Sequence, residues 1–233
     1  MQKHKQLLII ISISLLVLLI WNLPSLHIIR YPLLLLGTWF HEMGHGMTAL
    51  FVGGDFLYLE IYENGGGIAY SDLSNSYLSQ STAAALTAAG GLLGPTIAGA
   101  LLIVAAKHTR SSYIVLWVLV SVLILSLLIW IKSLVAWIVL ALITAMLIIM
   151  ILLKKKNATA LTLLFLGTQC AFSSYLQIGY LFTKQFERGG QIQYSDTQVI
   201  ASHLFGTYWM WGLLILISSI WVLYRSYRYY LSR

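Results

Sequence analysis

Charge is scarce in this sequence, and cysteine is almost absent. Only 9% of the 233 residues are charged, whereas 59% are hydrophobic. A soluble globular domain typically carries about 25% charged residues, so this chain lacks the polar surface that such a domain needs. The single cysteine, Cys170, excludes an intrachain disulfide and a zinc site built on cysteines. The apolar runs have the length of transmembrane helices, and the alternating strands of a membrane barrel are missing.

The net charge of +7 does not indicate a nucleic-acid surface, because the basic residues stand at the ends of the apolar runs. Lys and Arg in such positions are typical anchors of membrane spans. The apolar runs cover residues 7–23, 32–52, 81–106, 113–131, 134–153, 158–182 and 208–224. The sequence therefore predicts an all-α polytopic membrane protein with about six to seven transmembrane helices. We expect a single transmembrane domain over residues 1–233, surrounded by lipid and without a nucleic-acid partner.

Two segments between the runs differ in kind. Residues 53–80 read FLYLEIY, ENGGG and IAYSDL, so alternating and aromatic residues flank an Asn-Gly turn signal. That pattern predicts a short β-hairpin directly after the second run. The edge of such a hairpin can bind a partner peptide as an additional β-strand. Residues 183–207 form a polar loop before the last run.

The second run contains HEMGH, in which His41, Glu42 and His45 stand among apolar residues. Such groups are costly at membrane depth, which suggests a function for them. On a helix, His41 and His45 share a face and can hold one metal ion, while Glu42 can take a proton from a water activated by that ion. Imidazole ligands suit Zn²⁺, so the motif predicts a zinc site with Glu42 as the catalytic base.

Other interpretations of the motif are open to a test against the sequence. Polar side chains can hold membrane helices together without binding a metal, although a histidine pair at metal spacing is rarely needed for that. A di-iron bundle requires a second Glu-x-x-His segment, which the sequence lacks. A metzincin requires glycine and histidine where Thr48 and Phe51 stand, and is excluded. A metal transporter would carry more ionisable residues in its other spans.

A catalytic zinc site usually has a third protein ligand. The strongest candidate is Asp196, which follows a plausible helix cap, Ser195, at the end of the polar loop. Four spans separate the HEMGH run from this loop, so both reach the same membrane face. To meet the histidines, Asp196 must lie below the membrane surface, which a helix break at Gly206 would allow. The alternative role of Asp196 is that of an exposed helix cap. The weaker candidates are Glu60, Glu63, Asp72 and His203.

The chain resembles the site-2 protease class of intramembrane zinc metalloproteases. The resemblance is carried by HEMGHGMTALFVGG, the GGG-containing hairpin, GGLLGPTIAGALL and SDTQVIA, and it is closest to the minimal bacterial members. It implies zinc held by His41, His45 and Asp196, with Glu42 as general base, and a hairpin that receives substrate. One feature departs from the family: its better-known members carry the aspartate in an Asn/Pro-containing segment that ends in Asp-Gly.

The sequence therefore predicts a zinc metalloendopeptidase in a bacterial cell membrane. Its substrate would be a transmembrane or membrane-proximal protein, cut within or near the bilayer. The alternative is a non-catalytic zinc-binding regulatory membrane protein. On packing grounds, Gly90, Gly91 and Gly94 are expected to line the cleft.

Overall fold

The computed structural model describes residues 2–176, 178–188 and 191–232. Within them the chain is mostly helical, with helices α1 (Gln2–Asn22), α2 (His27–Phe51), α3 (Gln80–Ala105), α4 (Thr109–Ile129), α5 (Leu134–Leu152), α6 (Lys156–Leu176), α7 (Ile178–Leu181), α8 (Asp196–His203) and α9 (Tyr208–Leu231). A 3₁₀ turn, Pro24–Leu26, joins α1 to α2. Two antiparallel hairpins complete the fold: β1 (Asp55–Ile61) with β2 (Gly67–Asp72), and β3 (Gln185–Arg188) with β4 (Gln191–Tyr194).

Five of the described helices have the length and composition to cross a membrane, namely α1, α3, α4, α5 and α9. The other two predicted spans correspond to α2, which carries HEMGH, and to α6 followed by α7. Residue 177, between α6 and α7, lies outside the described residues. The prediction of an all-α multi-pass membrane protein is confirmed.

Helix α2 is buried without interruption in its middle part. Every residue from 35 to 43 is buried, although this stretch contains His41 and Glu42. The Trp39 indole, also fully buried, donates a hydrogen bond to Ser126 Oγ on α4 at 2.8 Å. A helix that is buried on all sides must have neighbours on all sides. Here they include α3, both strands of the first hairpin, α5 and α6, and also α4, which Trp39 reaches.

Glycines bring α2 and α3 into close contact. A Cβ added at Gly44 would overlap the backbone carbonyl of Gly90, and one at Gly94 would lie 3.1 Å from the Cα of Gly44. Small residues let membrane helices approach in this way. The expectation that Gly90, Gly91 and Gly94 line the cleft is wrong: they lie at the α2–α3 interface, and Gly91 packs against the His45 ring.

The first hairpin was predicted and is present, although its turn is longer than a two-residue loop. The Tyr62 N–H donates to the Gly66 carbonyl at 2.7 Å, and the Gly65 N–H donates to the Tyr62 carbonyl at 2.9 Å. Gly65 has φ of +88°, in the left-handed region that favours glycine. These bonds define a tight turn closed by a glycine bulge.

The outer edge of β1 pairs with the connection between α4 and α5, which the sequence analysis missed. The Leu59 N–H donates to the Trp130 carbonyl at 2.9 Å, and the Lys132 N–H donates to the Leu59 carbonyl at 3.0 Å. The Ile61 N–H donates to Ser133 Oγ at 2.9 Å. The outward backbone groups of Leu59 and the N–H of Ile61 are therefore paired, whereas β2 pairs only with β1 among the described strands.

The second hairpin lies inside the segment that the sequence analysis treated as a polar loop. Its base is tied to the start of α8, because the Ser195 N–H donates to the Lys184 carbonyl at 3.1 Å. The Ser195 hydroxyl donates to the Thr183 carbonyl and accepts from the Gln198 N–H, so Ser195 is the predicted cap of α8. Gly206, with φ of +79°, lies in the break between α8 and α9, where a break was expected.

Candidate metal centre

His41 and His45 point to the same place because they lie four residues apart on one buried helix. Their Nε2 atoms are 3.1 Å apart, and the two rings meet edge to face. His41 is 8% exposed, so its ring is almost wholly removed from solvent. A pair of imidazole nitrogens at this distance can share one cation.

Asp196, the first residue of α8, brings a carboxylate to the histidine pair. Its Oδ2 atom lies 3.2 Å from His41 Nε2 and 3.5 Å from His45 Nε2. The three side chains form the group of possible metal ligands found among the described residues. They come from helices that are far apart in sequence, so the fold itself creates the cluster.

The geometry of the cluster fits zinc. Zinc bonds histidine nitrogen and carboxylate oxygen at about 2.0–2.2 Å, which places neighbouring ligand atoms of a tetrahedral site about 3.3 Å apart. The three separations here are 3.1, 3.2 and 3.5 Å. Three protein ligands would leave a fourth position for water or substrate, as in catalytic zinc sites.

A second contact orients one imidazole for this purpose. His45 Nδ1 lies 2.8 Å from the backbone carbonyl of Thr87 on α3. A carbonyl accepts only, so Nδ1 carries a proton and Nε2 is the ring nitrogen that can bind a metal ion. Metal-binding histidines usually donate their other ring nitrogen in this manner. Gly91 permits the contact, because a Cβ there would overlap the His45 ring.

Glu42 lies beside the histidines, beneath the turn of the first hairpin. It is 4% exposed. The Thr38 hydroxyl, one turn earlier on α2, donates to the Gly65 carbonyl at 2.6 Å and so binds the turn to the helix. A Cβ at Gly67 would lie 2.6 Å from Glu42 Oε1 and 2.7 Å from Thr38 Cγ2. Only glycine at position 67 lets β2 pass this close to Glu42.

The cluster opens into a cleft of about 310 Å³ between the two hairpins. One wall is β2 with Leu73, and the opposite wall is formed by residues of β3, β4 and α8. Helix α3 contributes small side chains, Ala84, Thr87 and Ala88. A further cavity of about 260 Å³ lies between Glu42, the glycine turn and Phe186. Glu42 therefore lines both the cleft and this second cavity.

The sequence of this chain matches a known protein family. The family model described as Peptidase M50B-like matches residues 8–226, which is most of the chain. The chain belongs to the Peptidase M50B-like family. No curated protein and no solved structure matches it. M50 proteins are metallopeptidases, so the resemblance to the site-2 protease class is confirmed at the level of the family.

The other candidates for the third metal ligand in this M50B-like chain lie outside the cluster. Asp72 is the last residue of β2 and opens the turn that follows, because its Oδ1 accepts the Ser74 N–H at 2.8 Å. This bond lowers the pKa of Asp72 from its ordinary value. Glu63 and His203 are exposed, and Glu60 stands opposite Ile68 in the hairpin.

Two aromatic residues at the centre were not predicted from the sequence. Tyr180 on α7 and Phe186 on β3 line both cavities, with ring centroids 5.6 Å apart. Tyr180 also meets the His41 ring edge-on at 6.3 Å and contacts Asp196. Both residues are ordinary in an apolar or interfacial segment, so nothing in their local sequence marks them.

The Asp196 carboxyl group of the M50B-like chain is held in its charged form. Burial alone would raise its pKa, because a charge is disfavoured away from water. The imidazoles of His45 and His41 outweigh burial and hold the pKa of Asp196 below its ordinary value. The ionised carboxylate is the form that binds a metal ion.

Proposed function

We propose that this M50B-like protein is an intramembrane zinc metalloendopeptidase that hydrolyses a peptide bond of a membrane protein within or near the bilayer. The proposal includes a single catalytic domain over residues 1–233, in a bacterial cell membrane. The observation that carries it is the convergence of His41, His45 and Asp196 on one point, next to Glu42, at the end of a cleft.

His41, His45 and Asp196 would hold the ion, and a bound zinc ion supplies Lewis-acid activation of water and of the scissile carbonyl. Glu42 is the general base: its carboxylate lines the cleft beside both histidines, takes a proton from the attacking water and returns it to the leaving amine. The buried surroundings of Glu42 exclude bulk water, which strengthens these interactions. Thr87 keeps His45 in the tautomer that binds the ion.

The substrate would lie along β2 in extended form. Neighbouring residues of an antiparallel strand alternately turn their backbone groups toward the partner strand and away from it. The backbone N–H and carbonyl of Leu59 point away from β2 and bond to Trp130 and Lys132. The backbone N–H and carbonyl of its partner Ala69 therefore point away from β1, toward the cleft side of β2. An extended peptide can bond to such an edge, whereas the backbone groups of a helix are already paired.

Two hydroxyl groups in the same cleft support a peptide ligand. Ser71 Oγ on β2 and Thr87 Oγ1 on α3 are buried, and neither has a hydrogen-bond partner within the described residues. Buried polar atoms are rarely unpaired in native proteins. Both residues line the cleft next to the histidines. A backbone amide or carbonyl of an extended substrate would satisfy them.

The experiment measures zinc binding and peptide cleavage separately. The protein is purified in detergent, its zinc content is measured, and cleavage of a reconstituted transmembrane substrate is compared for wild type, Glu42→Gln and the exposed control Glu63→Gln. We expect Glu42→Gln to keep the zinc and to lose at least about 10³-fold in cleavage rate, since its amide cannot act as a base. Glu63→Gln should cleave at the wild-type rate.

Two outcomes would contradict this proposal. Cleavage that survives Glu42→Gln would remove Glu42 from the mechanism. Zinc binding without any cleavage by the wild-type protein, across a panel of membrane substrates, would instead favour a non-catalytic zinc-binding regulatory protein.

A further inference from the structure

Tyr180 makes two hydrogen bonds to a single residue, Asp196. Its hydroxyl donates to Asp196 Oδ2 at 3.3 Å and accepts the backbone N–H of Asp196 at 3.2 Å. The oxygen that it touches is the one that approaches both histidines. One phenol thus bridges the main chain and the carboxylate of the same residue.

The Tyr180 ring is held in place from two sides. It meets the His41 ring at 6.3 Å and the Phe186 ring at 5.6 Å between centroids. An aromatic residue held in this way has few rotamers left, so its hydroxyl is a fixed point. Asp196 stands at the first position of an eight-residue helix, where its side chain would otherwise be free to turn toward solvent.

We propose that Tyr180 is a positioning residue for the metal centre: its hydroxyl holds the Asp196 carboxylate in the orientation that closes the ligand set with His41 and His45. The inference rests on the metal centre of the proposed function. Outer partners of metal ligands typically contribute 10- to 100-fold to metal affinity, because they remove the cost of orienting the ligand on binding.

A purely structural role for the same hydroxyl makes a different prediction. The first N–H groups of a helix lack partners within it, and Tyr180 satisfies the one of Asp196. If that were its whole contribution, removing the hydroxyl would lower the stability of the metal-free protein and leave the intrinsic zinc affinity unchanged. Metal affinity, measured alongside metal-free stability, therefore distinguishes the two roles.

The experiment measures zinc affinity by chelator competition in detergent for wild type, Tyr180→Phe and Tyr227→Phe. The control is matched, since the Tyr227 hydroxyl is also partly buried and bonds Thr168 at 2.9 Å, outside the cleft. Phenylalanine keeps both ring contacts of Tyr180. We expect Tyr180→Phe to weaken zinc binding by about 10- to 100-fold, and Tyr227→Phe by less than about twofold. The thermal unfolding of the metal-free variants should be similar.

Each result has one meaning. Equal zinc affinity of wild type and Tyr180→Phe would overturn the positioning role and leave the proposed function intact. A loss of apparent zinc binding that the lower stability of the metal-free variant fully accounts for, with the intrinsic zinc affinity unchanged, would also overturn it, in favour of the structural role. A wild-type protein that does not bind zinc would contradict the proposed function itself.

Discussion

The two hairpins face each other across the cleft, but they are fastened in different ways. The first is bonded to α2 through Thr38, to the α4–α5 connection through β1, and to Trp130, whose indole donates to the Phe56 carbonyl at 3.1 Å. The second has strands of four residues each and is tied at its base to α8 through Ser195. Among the described residues, the first hairpin is thus hydrogen-bonded to the helices at several points, whereas the hydrogen bonds that tie the second hairpin to α8 lie at its base.

This difference assigns separate tasks to the two walls. The first hairpin touches Glu42 through Gly67, so in the proposed mechanism its position would decide how Glu42 meets the substrate. The base of the second hairpin is bonded to Ser195, next to Asp196, so in the proposed mechanism its position would affect metal binding and the shape of the cleft. Changes in the first should reduce turnover with zinc retained, whereas changes in the second should reduce zinc or substrate affinity.

The largest effect is expected at Gly67. A Cβ in Gly67→Ala would push β2 away from Glu42 or turn the Glu42 side chain. Displacing a reacting group by about 1 Å can cost about 10²-fold in rate, so kcat should fall by about that factor while zinc content is unchanged. The control is Gly179→Ala, because a Cβ at Gly179 meets open space. Equal activity of both variants would show that the turn does not control Glu42.

A smaller effect is expected when the turn loses its bond to α2. Thr38→Val keeps the side-chain shape but leaves the buried Gly65 carbonyl without its 2.6 Å hydrogen bond. An unpaired buried group costs about 1–3 kcal/mol, and we expect kcat to fall about tenfold. In the control Thr144→Val, only a bond within helix α5 is lost, from the hydroxyl to the Leu140 carbonyl. Wild-type kcat in Thr38→Val would mean that the other contacts suffice to hold the turn.

On the second hairpin, Ser195→Ala should affect the metal rather than turnover. It removes the α8 cap and the tie to Thr183, at a cost of about 1 kcal/mol. We expect zinc affinity to fall about fivefold, with kcat at saturating zinc near the wild-type value. Ser79→Ala removes the corresponding cap of α3 and is the control. A fall in kcat without loss of zinc affinity would contradict the division of tasks.

The smallest effect is expected at Phe186, which lines the cleft on the second hairpin. Phe186→Leu shortens the wall while keeping it apolar, so KM for a membrane substrate should rise about two- to threefold with kcat unchanged. Ile192→Ala, on the exposed part of β4, is the comparison and should leave both constants unchanged. A selective loss of kcat in Phe186→Leu would assign this wall to catalysis instead.

The parts of the site that sequence predicts are those in which chemistry and position are both local. His41, Glu42 and His45 lie within one turn of a helix, so their spacing alone brings them together. The hairpin follows from its turn residues and the alternation around them. The helical spans follow from the length of the apolar runs.

The place of Asp196 in the site could be predicted only in part. The cap pattern at Ser195 and the even number of intervening spans selected it, and the structure brings it within 3.2 Å of His41. Its depth was not predictable, since it depends on the short helix α8 and on the break at Gly206. The sequence alone is also compatible with an exposed helix cap at Asp196.

Tyr180, the β3–β4 hairpin and the pairing of Leu59 with Ile131 could not be predicted, because each depends on contacts between distant segments. Four-residue strands carry too little alternation to be recognised. A tyrosine at the end of an apolar run fits a membrane interface equally well. The glycines of α3 were expected to line the cleft on packing grounds, and only the structure shows that they face α2.

Zinc X-ray absorption spectroscopy of the purified wild-type protein tests the central claim most directly. The account predicts about one zinc ion per chain, bound by two imidazole nitrogens and by oxygen ligands at about 2.0–2.2 Å, with one imidazole lost in His45→Ala. Absence of tightly bound zinc, or a spectrum without two imidazoles, would contradict it.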